Sequence, residues 1–287
     1  MDAVLAPITT VLGQIMAFVY NYLPSLGVAI ILLTLVVMLA LFPLTAKQTK
    51  SMLAMQQVQP QIKALQAKYK GDKQKLNEEM MKFYSENKIN PLSGCLPLVV
   101  QMPILFAMFR LMTQPQNYIP KDSKLFAALC QGASKADCSA AIKKSGFPAD
   151  LDFLGLNLHF SAIGVGGGLL KAAPYFILVL LSIGAQYFQS IQSQRGQVQV
   201  NKQMQIMSRV LPLGFGLFSL NFPAGTVLYW LVSALARIGQ QEIILRKITL
   251  PHRARQAEVE SINTLDSTDV VEGETTSPPR SKKRKKK

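Results

Sequence analysis

Arg237 is the residue with the most chemistry available to it, because it lies about twelve residues into the otherwise apolar stretch 226–245. Helix rise puts it ~18 Å from the start of that stretch. A guanidinium so placed attracts anions, carboxylates above all. Further polar side chains interrupt apolar stretches elsewhere: Thr34, Gln101, Gln186 and Gln189, while Trp230 precedes Arg237 by seven residues and so shares nearly the same helix face. In hydrocarbon each polar group costs free energy unless it faces protein or water. Two arrangements answer that cost: a water-filled concavity that stops within a bilayer, or helix-to-helix hydrogen bonds that serve packing. Apart from Glu242 at the rim, no Asp or Glu falls in these stretches, so Arg237 is expected to be hydrated or to snorkel to the surface. Covalent chemistry is not indicated. His159 and His252 are far apart, and no phosphate-cradling glycine loop or metal-ligand spacing occurs, so neither an enzyme nor a metal or cofactor is expected.

The elements that must position these residues are apolar runs joined by basic segments. The chain has 287 residues, 49% hydrophobic, with a formal charge of +15. No charge occurs between Asp2 and Lys47, whereas the last eight residues carry seven cations. That distribution describes an all-α polytopic membrane protein rather than a soluble nucleic-acid binder. No cleavable signal peptide is expected, since a basic n-region is lacking. Residues 1–25 read as an extracytoplasmic interfacial segment. Five spans follow at 26–46, 95–112, 173–191, 206–220 and 226–245. Residues 113–172 form an extracytoplasmic loop in which 151–170, apolar but rich in glycine, lies on the surface. A cytosolic loop covers 192–205, and 251–287 reads as a disordered basic tail.

Between the first two spans, residues 47–90 hold nine Lys against four acids. Met55, Val58, Ile62, Leu65 and Tyr69 recur at alternating three and four spacing, the seam of a helix that packs on one partner. After the Gly71-Asp72 turn, Leu76, Met80 and Phe83 repeat the pattern, so a cytosolic helical hairpin is expected. The positive-inside rule puts the N-terminus outside and the hairpin and tail in the cytosol. Cys130 and Cys138 share the extracytoplasmic loop, where either a disulfide or two free thiols fit. The cations Arg280, Lys282, Lys283, Arg284, Lys285, Lys286 and Lys287 suit a polyanion, either ribosomal RNA or anionic lipid headgroups.

Three blocks then give a resemblance. Asn90-Pro-Leu-Ser-Gly-Cys-Leu-Pro-Leu-Val-Val-Gln-Met-Pro103 opens the second span, Phe42-Pro-Leu-Thr45 closes the first, and Asn221-Phe-Pro-Ala-Gly-Thr-Val-Leu-Tyr-Trp230 joins the fourth to the fifth. In that order, with a charged hairpin after the first span, they resemble the YidC/Oxa-type membrane protein insertases over nearly all of 20–246, in the compact bacterial form. The resemblance implies a five-helix core with a hydrophilic groove open to the cytosol, lined here by Thr34, Met38, Gln101, Gln186, Trp230 and Arg237. It implies a mobile hairpin that recruits nascent membrane proteins, insertion and chaperone work alone or beside the Sec translocon, and a tail that meets the ribosome, all in the bacterial plasma membrane. One position departs from the pattern. Members from Gram-positive bacteria usually carry an Arg in the first span where this chain has Met38, and Arg237 is the candidate to replace it. A small-solute transporter is the competing class, and it lacks an intramembrane carboxylate for ion coupling and a visible inverted repeat.

Overall fold

A computed structural model describes residues 2–48, 58–87, 96–194, 210, 214–244 and 246. Among them every regular element is helical: α1 Asp2–Tyr22, α2 Leu26–Ala40, α3 Phe42–Gln48, α4 Gln59–Lys68, α5 Lys73–Glu86, α6 Leu96–Thr113, α7 Lys124–Cys130, α8 Lys135–Ser145, α9 Leu169–Gln194, α10 at 214–218 and α11 Ala224–Ile244. The chain divides into two compact units, Met1–Gln241 and Glu242–Lys287, and the helix packing that follows belongs to the first.

Cross-helix contacts set the directions of the helices. Gly225 abuts Met112 and Ile30, and the Gln240 amide donates to the Met38 carbonyl at 2.8 Å, so α2 and α11 run side by side in the same direction. Gln101 meets α11 at Arg237 and Met112 meets it at Gly225, so α6 runs the opposite way. Gln192 near the end of α9 donates to the Ile238 carbonyl at 3.3 Å, so α9 descends alongside α11. Three helices therefore begin at one end, called the cap end here, and α6 rises between them from the hairpin end.

α2 and α3, which share the expected span 26–46, meet at a bend of 51°. Pro43 explains the break: it has no N–H to donate back to the preceding turn, and its ring crowds that carbonyl. α9 begins at Leu169, four residues before the expected start, and carries Pro174 inside its second turn, where the missing N–H leaves the Leu170 carbonyl without its helical donor. Among the described residues α9 alone is long and apolar enough to cross a membrane, joined by α2 with α3 if the bent pair is one span. α6 contributes a shorter apolar helix from Val99 to Thr113. Residues 206–209 and 211–213 of the expected fourth span lie outside the described residues.

α1 is a full helix of 21 residues that packs against α6, α2 and α7. Its close approach rests on Gly13, where a Cβ would stand 2.5 Å from the Tyr118 carbonyl oxygen. The cap is completed by α7 and α8. Each starts on a serine whose hydroxyl accepts a backbone N–H, Ser123 from Phe126 and Ser134 from Asp137. Cys130 and Cys138 join the two helices in a disulfide and are both buried. Residues 152–168 contain no helix; Phe153 and Leu156 pair across a two-residue turn. At the other end α4 and α5 pack on each other as a hairpin, with the Asp72 side chain accepting the Lys75 N–H at 3.0 Å to start α5.

Candidate functional site

Along α11, Thr226, Tyr229, Ser233, Arg237 and Gln240 follow one another at spacings of three and four, which sets them on one face. That face turns toward α6 and α2. The Arg237 guanidinium donates to the side-chain oxygen of Gln101 on α6, and the Gln101 amide nitrogen donates in turn to the Tyr229 hydroxyl. One neutral side chain thus bridges two residues of α11 two turns apart. Further along the stripe Gln240 reaches the Met38 carbonyl. Tyr229, Ser233 and Gln240 are buried and Thr226 wholly so, and among the described residues the Thr226 and Ser233 hydroxyls meet no hydrogen-bond partner.

The sequence leaves Arg237 without an obvious partner; the fold supplies one from 136 residues away. Its chemistry matters. A carboxylate would neutralise the guanidinium, whereas the Gln101 oxygen only accepts a hydrogen bond. The contact therefore leaves the guanidinium un-neutralised while partly buried, and an amide is easily outcompeted by a carboxylate, whose charge-assisted bonds to a guanidinium are roughly twice as strong.

The other residues expected in the groove separate. Thr34 is fully buried and donates to the Ile30 carbonyl of its own helix at 2.6 Å. Met38 is buried beside it, one turn on, and offers its backbone to Gln240. Gln186 donates to Ser182 within α9 at 3.1 Å. Trp230 lies in an aromatic cluster, its ring 4.4 Å from that of Phe215 and 5.4 Å from that of Phe222. The residue of α11 that shares Gln101 with Arg237 is Tyr229, its neighbour. The i to i+7 spacing that singles out Trp230 could equally have named Tyr229 at i to i+8. Gln240 and Gln192 were also missed, although both are glutamines near the hairpin end of apolar helices, the signal that identifies Gln186.

On the hairpin, Ile62 is buried while Leu65, Met80 and Phe83 are half-buried. Tyr69 ends α4 with the ammonium groups of Lys68 and Lys75 at 5.3 and 5.8 Å from its ring centre. Met55 and the tail cations from Arg280 to Lys287 lie outside the described residues.

The family profile described as 60Kd inner membrane protein matches residues 18–252, which includes every element from α2 to α11. The chain belongs to that family. Among curated members, a protein from Clostridium perfringens named membrane protein insertase YidC is 34% identical over 280 residues, covering 92% of this chain and 100% of its own length. A Fusobacterium nucleatum protein of the same name is 34% identical, over 84% of this chain and 98% of that one. The 60Kd family also has longer members: a Treponema denticola YidC is 37% identical, yet this chain spans only 38% of it. The fold is shared with a crystal structure of an active YidC insertase with its first transmembrane domain resolved. The TM-score is 0.53 at 23% identity, over 83% of this chain and 45% of that one.

Proposed function

We propose that the chain is a membrane protein insertase and chaperone whose working cation is Arg237, held ready on a neutral and exchangeable partner, Gln101. The carrying observation is the Gln101–Arg237 hydrogen bond between α6 and α11 in a chain whose family includes proteins named membrane protein insertase. In this reading the five apolar segments cross the bilayer with the N-terminus outside, the cap end faces out, and the face of α11 that carries Arg237 looks into a hydrated groove open to the cytosol.

No bond is made or broken. The barrier is the cost of carrying a client's polar flank through oil, and a hydrated groove part-way across shortens that path. An acidic residue on the flank displaces the Gln101 oxygen from Arg237, because a carboxylate bonds a guanidinium more strongly than an amide does. The client's apolar segment then partitions into lipid, releasing about 25 cal/mol per Å² of apolar surface. Arg237 would in this way serve where other members place an Arg at the position of Met38. The α4–α5 hairpin would gather nascent membrane proteins, and the basic tail would meet the ribosome or anionic lipid. The chain would act alone or beside the Sec translocon.

The test uses liposomes that contain only this protein and two single-span clients, alike except for an acidic or a neutral translocated flank. Protease protection of that flank reports insertion. Wild type should protect both clients, and Gln101→Glu, which supplies Arg237 with a resident carboxylate, should lower protection of the acidic client about tenfold or more while sparing the neutral one. Arg237→Ala should show the same selectivity. Protection of neither client by wild type would defeat the insertase reading. Equal loss of both clients in Gln101→Glu would defeat the exchange at Arg237 alone.

A further inference from the structure

The turn at Leu154 combines two features that are each unfavourable in water. Leu154 and Gly155 both have positive φ, 53° and 76°, as the two-residue turn between Phe153 and Leu156 requires. Phe153 and Leu156 exchange both backbone hydrogen bonds at 2.9 Å, so the turn is closed. Asn, Asp or Gly normally occupies the first central position, since their left-handed conformation costs least. A leucine there is strained, and this one is 81% exposed. A solvent-facing turn gains nothing from such a residue. A turn whose tip enters an apolar phase does, because the transfer of the isobutyl group offsets the strain.

Its position shows which phase is on offer. Phe153 anchors the turn: its ring fills the space beside Gly27, where a Cβ would come within 2.1 Å of it. Gly27 is the second residue of α2, so the turn rides on the cap end of that helix. Leu169 and Leu170, the first two residues of α9, are 80% and 91% exposed at the same end, and Ile163 is 61% exposed in the intervening loop. From Leu170 the exposed apolar surface continues down α9 through Ile177, Leu180 and Leu181. Among the described residues, α9 is a helix with the length and hydropathy to cross a membrane. Leu169 and Leu170 thus head an apolar flank that suits acyl chains, and Leu154 and Ile163 stand exposed in the loop that leads into it. In water, four large apolar side chains this open within seventeen positions of sequence would form an adhesive patch.

We infer that the Leu154–Gly155 turn, with Ile163, Leu169 and Leu170, is a lipid-contacting prong that enters the outer-leaflet interface and holds the cap at a set depth in the bilayer. The occupant of the patch is phospholipid, at the glycerol and upper acyl level, because the patch is continuous with the flank of α9 and lies at the end of that helix. The prong rests on the outward placement of the cap only for which leaflet it meets; contact with lipid is independent of insertase activity.

The experiment reads depth by tryptophan fluorescence. The chain has one tryptophan, Trp230, so Leu154→Trp and, separately, Ile163→Trp are made in a Trp230→Phe background and reconstituted in phosphatidylcholine liposomes. Acyl chains brominated near the glycerol end should quench either probe at least about threefold more than aqueous iodide does, as expected for a group within about 10 Å of the interface. Adding Leu154→Asn, which suits the turn's backbone and removes its apolar tip, should reduce the lipid quenching of the probe at 163. Ready quenching by iodide with none by brominated lipid would overturn the proposal, because the tip would then stand in water. Quenching by neither, together with cross-linking between two copies through a cysteine at 154, would overturn it in favour of contact between copies of the chain. The two probe positions guard against a local effect of either substitution.

Discussion

The cap and the Gln101 site between α6 and α11 hold their polar groups in opposite ways. At the cap end side chains bond to backbone. Asn157 accepts the Phe147 N–H at 3.1 Å and the His159 N–H at 3.3 Å, and its amide donates to the Phe147 carbonyl at 2.7 Å. The His159 ring donates from Nδ1 to the Met112 carbonyl at 2.9 Å, since a carbonyl can only accept. The Ala224 and Gly225 N–H groups, orphans of the first turn of α11, are taken up by the Phe160 and Leu158 carbonyls at 2.8 and 2.9 Å. Toward the hairpin end the Gln101, Tyr229 and Arg237 contacts run from side chain to side chain. Backbone partners are fixed by the fold, whereas side-chain partners can turn away. The cap's bonds are thus tied to the backbone, whereas those at Gln101 depend on side-chain rotamers alone.

The largest effect that follows is on the cap. Asn157→Leu keeps the side chain's bulk and removes three hydrogen bonds to backbone, two of them to Phe147. At about 1 kcal/mol for each lost bond, and more where a backbone group is left unpaired, the cost is about 3 kcal/mol. Thermal unfolding in detergent should show a clear loss of stability. A variant as stable as wild type would mean that the cap's bonds are as replaceable as those on α11.

Gln101→Leu is the counterpart, and its expected cost is smaller. A hydrated Arg237 and the Tyr229 hydroxyl can exchange the lost amide for water, so the loss should stay within about 1 kcal/mol, near the ordinary net value of a hydrogen bond. Insertion of a client with an acidic flank should not fall, since its carboxylate no longer competes with the amide. If Gln101→Leu destabilises the protein as much as Asn157→Leu, the site on α11 is packing and the contrast between the two ends disappears.

The same contrast divides what was legible in the sequence. Periodicity and charge gave the helical hairpin over α4 and α5 and the apolar helices, because these depend on residues within a few turns of one another. They also singled out Gln101 and Arg237, each by a polar side chain in an apolar run. The pairing of those two was out of reach, since it depends on how α6 and α11 are docked. For the same reason spacing points to Trp230 and passes over Tyr229: it assigns a face but cannot say which neighbour meets α6. The cap was the least legible part. Its loops obey no period, and the work is done by Asn157, His159 and two glycines, Gly13 and Gly27, whose role is to leave room for Tyr118 and Phe153. The bend between α2 and α3 was signalled by Pro43, which an apolar count over 26–46 passes over.

The smallest effect sharpens the description of the cap. Asp152 has its pKa raised above the ordinary carboxylate value, first by desolvation in the surrounding loop, with the hydrogen bond from Asn157 opposing the shift and the charge of Asp150 adding to it. A raised pKa means that the folded chain holds this proton more tightly than the unfolded chain does. Stability should therefore decline slightly as pH rises from the ordinary carboxylate pKa through the raised one, and it should level off above that. Asp152 still reaches solvent, so screening keeps the change well below that of Asn157→Leu. Asp152→Asn should flatten this part of the stability profile and leave the neutral-pH protein marginally more stable. In Asn157→Leu the opposing hydrogen bond is gone, so the decline should become steeper and extend to higher pH. A decline unchanged by Asn157→Leu would show that Asn157 does not hold Asp152, and that this part of the cap is looser than the bonds to Phe147.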